Sequence, residues 1–188
     1  MILGVTGYIG AGKDTFVNYV AKHYRFLPLS FKEEILKEAK TRGKSESREV
    51  LQEIGRNMEE RGLLTDRVMA RIKEGDYVVT SFRTPKQVRE FREVYGEDFT
   101  LVAVTSPLKV RWTRIRERAR PGDPQDLKDF REVDDRDRGR GKYATNVFQK
   151  TGSCVRMADY TLANDTYFEG DFYRAITKFA KKELGLKR

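Results

Sequence analysis

The chain has 188 residues, 38 of them Lys or Arg against 29 Asp or Glu, for a formal net charge of +9. Its 38% hydrophobic and 11% aromatic content excludes wholesale disorder, and at about 150 residues per domain one domain, 1–188, is expected. A single cysteine, Cys154, and a single histidine, His23, exclude a disulfide framework, a thiolate zinc site and any multi-histidine metal site.

In chain order, Met1–Thr6 reads as a buried strand and Thr15–Tyr24 as a helix with Phe16, Val17, Val20 and Tyr24 at helical spacing. Phe26–Leu29 is a short strand. Helices follow at Lys32–Lys40, Ser47–Arg61 and Leu64–Lys73. Tyr77–Thr80 is a third strand. Lys86–Tyr95 is a helix that stops at Gly96, and Phe99–Val104 is a fourth strand. Pro107 opens a helix running to about Ala119. Arg120–Gly141 is charge-dense, holds Pro121 and Pro124, and is expected to bury little of itself. Tyr160–Leu162 is a fifth strand. The last helix carries Phe168, Phe172, Ile176, Phe179 and Ala180 on a face that should dock on the sheet. Strands alternating with helices predict a mostly parallel sheet covered on both faces. The glycine-broken start and the absence of a long apolar run predict a soluble, cytoplasmic protein with no membrane association.

Between the first strand and its helix lies Gly7-Tyr-Ile-Gly10-Ala11-Gly12-Lys13-Asp14-Thr15. This is a G-x-x-x-x-G-K phosphate-binding loop with Asp where Ser or Thr is usual. Glycines let successive backbone N–H groups point inward at phosphate oxygens, and the helix adds its positive end. Lys13 supplies a charge for the outer phosphates of a triphosphate. Asp14 has two readings: a hard-oxygen ligand for Mg²⁺, or a carboxylate that favours the helix dipole. No N-K-x-D base-reading signature follows, and the third strand ends Thr80-Ser81-Phe82-Arg83 rather than in Asp. These absences favour a small-molecule kinase over a GTPase or motor ATPase.

The loop, together with Leu29-Ser30-Phe31-Lys32-Glu33-Glu34, Arg48-Glu-Val-Leu51-Gln52-Glu-Ile-Gly55, Val78-Val-Thr-Ser-Phe82-Arg83-Thr-Pro85 and Ala158-Asp-Tyr-Thr-Leu-Ala-Asn164, resembles the nucleoside and deoxynucleoside monophosphate kinases. Dephospho-CoA kinase and archaeal adenylate-kinase-related proteins are nearby branches. The resemblance implies a three-layer α/β/α P-loop kinase fold with a five-stranded parallel sheet. It also implies ATP and Mg²⁺ as cofactors, an acceptor region at about 41–63 and a lid at about 119–145. On the donor side it implies Gly7, Gly10, Ala11, Gly12, Lys13, Asp14, Thr15, Arg114 and Asn164. On the acceptor side it implies Ser30, Lys32, Arg48, Gln52, Arg56 and Arg83.

Lys13, Arg118 and Arg136 are the candidate catalytic residues, because phosphoryl transfer needs charge stabilisation and arginine grips phosphate bidentately. Arg120, Arg138 and Arg140 are further lid arginines. Asp134, Asp135 and Asp137 alternate with them, so a solvated, salt-bridged helix is the plain reading. Arg48, Gln52 and Arg56 share one helix face. Arg83 leaves a strand's C-terminal end, where α/β sheets hold ligands. Its competing reading is an ion pair with Glu53 or Glu90. His23 is read as a contact at a helix C-terminus, Cys154 as no catalytic thiol and Trp112 as packing.

The expected reaction is ATP- and Mg²⁺-dependent phosphoryl transfer to a small phosphorylated acceptor. Dephospho-CoA kinase is the alternative. It is weakened because a ribose hydroxyl benefits from a carboxylate base and Leu29-Ser30-Phe31 supplies none. An ATP-binding regulatory or nucleic-acid-associated protein is the alternative of another class. Without a basic stripe interleaved with aromatics, nucleic acid is not the expected partner.

Overall fold

A computed structural model describes residues 1–120, 122–145 and 148–186. Pro121, inside the expected lid, lies outside them. The elements are β1 (Ile2–Gly7), α1 (Lys13–Tyr24), β2 (Leu27–Ser30), α2 (Phe31–Thr41), α3 (Arg48–Glu60), α4 (Leu63–Met69), β3 (Tyr77–Thr80), α5 (Pro85–Tyr95), β4 (Phe99–Thr105), α6 (Leu108–Arg118), α7 (Leu127–Arg138), α8 (Thr151–Met157), β5 (Tyr160–Ala163) and α9 (Glu169–Lys182).

The strands form one five-stranded parallel sheet in the order β2-β3-β1-β4-β5. β1 is buried throughout because it is central, with Ile2 beside both Tyr77 and Phe99. Pro28 can sit in β2 because that strand is an edge. Alternation along the strands divides the core. Leu3, Val5, Val102 and Val104 meet α1 and α9 through Phe16, Val20, Phe172, Ile176 and Phe179. Ile2, Val79, Phe99 and Leu101 meet the other layer, where Phe31, Phe82 and Phe91 pack edge to face. The chain leaves β1 toward one sheet edge and later returns to β4 on its other side. The loop after β1 therefore sits at the sheet's switch point, where such folds leave a crevice.

Local chemistry sets the helix starts. Ser30 and Ser47 cap α2 and α3 by accepting from Lys32 N and Val50 N. Thr84 and Gln87 form a capping box on α5, with Pro85 in its first turn.

Two sequence expectations need correction. The 120–141 stretch does bury itself: α7 places Phe130, Asp134 and Asp137 inside. Phe130 packs on Trp112, ring centroids 5.4 Å apart, and Asp134 meets a buried arginine. Ion pairing supplies the burial that a hydrophobic pattern did not show. Phe168, expected on the docking face, is instead 65% exposed at the N-cap of α9. α8 was not anticipated. Gly152 lets it approach α7 closely, since a Cβ there would lie 2.9 Å from the Arg138 carbonyl.

Candidate active site

The loop is built by its glycines. Gly7, Gly10 and Gly12 have φ of 138°, 76° and 102°, which side chains resist. Space forbids a side chain as well. A Cβ on Gly7 would lie 2.1 Å from the Val104 carbonyl oxygen, and one on Gly12 would lie 2.4 Å from the Asn164 amide. The resulting cradle suits phosphate oxygens and has a cation at its mouth. Lys13 Nζ donates to the carbonyls of Gly7 (2.8 Å) and Tyr8 (2.9 Å), holding the loop curled. Burial pushes the Lys13 ammonium down to about 8; Asp137 opposes the shift and Arg83 adds to it.

Asn164 and Arg114 brace the loop from the β5 side. Asn164 Nδ2 donates to the Ala11 carbonyl at 2.9 Å. Arg114 donates to Asn164 Oδ1 and to the Asn164 and Thr166 carbonyls. The polar atoms of both residues are thus engaged by protein. Thr15 is half-buried in the first turn of α1, and Asp14 is exposed, 3.8 Å from Arg120.

Opposite the loop, charges converge. Arg83 sits just past Ser81, whose φ of 76° marks a strained turn at the C-terminal end of β3. The buried Glu59 carboxylate fixes that turn by accepting from Thr84 Oγ1 (2.7 Å) and Gln87 Nε2 (2.9 Å). Gln87 Oε1 in turn accepts from Arg83 N, and the Arg83 carbonyl accepts from Lys150 N. The carboxylate that meets Arg83 is Asp137 at 3.3 Å, not Glu53 or Glu90. Burial, then Arg83, hold the Arg48 guanidinium below its usual range, with Arg136 adding to the effect and Asp137 opposing it. Lys13, Arg48, Arg83, Arg136 and Asp137 therefore form one electrostatic cluster.

Gln52, Arg56 and Arg136 line one cavity of about 310 Å³ with Tyr143, Phe148 and Gln149. Arg136 Nε is buried there without a hydrogen-bond partner among the described residues. Other candidates stand apart. Arg118 is tied bidentately to Asp123. Ser30 is occupied as the α2 cap, 3.5 Å from Ser81 Oγ, and Lys32 is exposed. Cys154 is buried and its thiol is pushed up to about 12, so it is no nucleophile. His23 packs on the Tyr19 ring.

Sequence reasoning singled out Arg138 as a lid arginine but missed Arg111, and together these join the lid region to the loop. Arg111, 1% exposed, donates bidentately to Asp134 (2.7 and 3.0 Å) and also to the Ile9 carbonyl. Arg138 lies over the Tyr8 ring at 4.0 Å. No local signal marks a partner 23 residues away. The alternation of Asp134 and Asp137 with arginines looked like a wet helix, and only the apolar Phe130 hinted otherwise.

A family model described as an AAA domain matches residues 6–131, more than half of the chain and all of its loop. A UPF0200 protein of Pyrococcus horikoshii is 32% identical, covering 98% of each chain. The chain is a UPF0200 protein with an AAA domain. A second UPF0200 relative, from Methanothermobacter thermautotrophicus, is 30% identical over 98% of this chain and 89% of its own. Among solved structures, shikimate kinase from Acinetobacter baumannii matches with a TM-score of 0.58 at 16% identity, covering 98% of this chain and 93% of that one. Shikimate kinase from Bacteroides thetaiotaomicron matches with a TM-score of 0.59 at 15% identity, covering 99% of each. At such identities these likenesses establish the P-loop kinase-like fold of this UPF0200 protein. Among its described residues, no helix is long and apolar enough to cross a membrane.

Proposed function

We propose that this UPF0200 protein transfers the γ-phosphoryl group of ATP, with Mg²⁺, to a small phosphorylated acceptor, a nucleoside or deoxynucleoside monophosphate. The observation that supports this most is the cluster of Lys13, Arg48 and Arg83 around the buried carboxylate Asp137, with Arg136 as a further cation beside Arg48, next to a phosphate loop. Such an excess needs anions to neutralise it. Lys13 and the loop amides hold the donor phosphates. Arg83 and the Gln52–Arg56–Arg136 cavity orient the acceptor. Arg114 and Asn164 keep the donor cradle in shape, and the lid, 119–145, excludes water. When bound, Mg²⁺ supplies charge neutralisation between the phosphates. Asp14, an exposed carboxylate beside the cradle, would hold it through a hard oxygen.

One observation gives dephospho-CoA a place as a second reading. Its hydroxyl acceptor needs a base that the end of β2 lacks, and Asp137 is a buried carboxylate in the cluster. That carboxylate is already engaged by the Arg83 guanidinium at 3.3 Å rather than free to face a hydroxyl, so the monophosphate reading is favoured.

Arg83→Lys tests the acceptor assignment. Loss of the bidentate fork should raise the acceptor KM about tenfold while leaving ATP affinity nearly unchanged. The Arg83–Asp137 pair is 41% exposed on the arginine side and should contribute little stability. A lowered melting temperature with an unaltered acceptor KM would assign Arg83 to that ion pair instead. Asp14→Asn should raise the Mg²⁺ concentration for half-maximal activity. An unchanged Mg²⁺ dependence leaves Asp14 only the helix-dipole role.

A further inference from the structure

A second cavity, of about 210 Å³, lies between the end of α7 and the start of α8 and has Tyr8 of the phosphate loop in its wall. Arg138, Arg140, Lys150 and Arg156 line it with Tyr8 and Ser153, and no carboxylate does. Its charge is poorly neutralised. The carboxylate that Arg138 meets is Asp134, at 3.3 Å, which already carries both bonds from Arg111. Arg138 Nε is buried without a partner. Arg156 donates to Ser153 Oγ. Among the described residues no ion pair holds Arg140, Lys150 or Arg156.

The fold shapes this concavity. Gly139, at φ 68°, and Gly152 let α7 and α8 touch: a Cβ on Gly139 would lie 3.0 Å from the Gln149 carbonyl oxygen. Lys150 is fixed through its backbone to the end of β3 by the bond from its N–H to the Arg83 carbonyl. Four cations gathered on so rigid a frame repel one another unless an anion joins them. Three arginine forks and an ammonium suit the several oxygens of a phosphate dianion better than the two of one carboxylate.

We propose that this cavity, bordered by Tyr8 of the loop, is a phosphate-binding site whose cations are Arg138, Arg140, Lys150 and Arg156 rather than Lys13, and that it takes a phosphate monoester group. The group belongs either to the acceptor, as a second anion beside the one near Arg83, or to an independent small effector.

The test starts from binding, which needs no phosphoryl transfer and so stands apart from the kinase reading. Inorganic phosphate is titrated by calorimetry into the intact Lys13→Ala protein, where the loop's own cation is gone. Phosphate should bind, and adding Lys150→Gln with Arg156→Gln should remove one equivalent or weaken it at least about tenfold. Arg140→Gln, at an exposed position outside the core, should weaken it in the same direction and covers the case in which the double variant unfolds. Absence of phosphate binding to the Lys13→Ala protein, or binding that these substitutions leave unchanged, overturns the site. In the wild-type kinase assay, phosphate competing with the acceptor assigns the group to the acceptor. Phosphate that alters kcat without competing assigns it to an effector.

Discussion

Lys13→Ala is expected to lower phosphoryl transfer by about 10²–10³-fold, the loss typical of removing one preorganised charge-stabilising donor. The fold should survive, because Lys13 bonds only to carbonyls of its own loop and the core around Phe16 and Val20 does not depend on it. Its ammonium also has a recognisable titration. The folded pKa of about 8 lies below the 10.5 of the free side chain. Between these values the unfolded chain binds more protons, so this group makes the folded state more stable as pH rises through that window. The alanine variant should lose that component of the melting-temperature profile. Donor phosphates reverse the shift, so nucleotide binding between pH 8 and 10.5 should take up protons, read as a binding enthalpy that depends on the buffer. A variant that keeps its turnover and its pH profile would remove Lys13 from the chemistry.

Arg111→Ala is expected to cost about 3–5 kcal/mol of stability, because it strands the buried Asp134 carboxylate without its bidentate partner. The same change frees the Ile9 carbonyl and one of the two cations against Tyr8. It should therefore loosen the loop and undock α7 as well as lower the melting temperature. Arg111→Met with Asp134→Leu removes both charges and should recover most of the stability. If that double variant also loses nucleotide affinity, the buried pair shapes the loop. If affinity is retained, the pair serves folding alone. A stability loss under 1 kcal/mol for Arg111→Ala would contradict the packing described above.

The contrast between these residues shows what a sequence displays. Lys13 was legible because its neighbours are constrained locally: three glycines at positive φ between a strand and a helix leave a pattern in consecutive residues. The central sheet was legible for a similar reason, since β1, β3 and β4 are apolar on both faces. Arg111 was not legible, because what buries it lies on α7, far along the chain, and is charged. α8 was missed because TGSCVRM is one short element with Gly and Ser, whose place depends on Gly152 fitting against Arg138. Phe168 misled because the helical spacing runs back onto the N-cap of α9, where the backbone is already extended. At the acceptor side, Gln52, Arg56 and Arg136 meet in one cavity, but the third shares no local pattern with the first two.

The most direct measurement is acceptor-dependent ADP release from ATP in the presence of Mg²⁺. It should be read across all nucleoside and deoxynucleoside monophosphates and dephospho-CoA, for wild type and Lys13→Ala side by side. At least one monophosphate should raise ADP release well above the acceptor-free rate, and Lys13→Ala should abolish the increase. ADP release that no phosphorylated acceptor stimulates, or stimulation that survives Lys13→Ala, would contradict phosphoryl transfer at this loop.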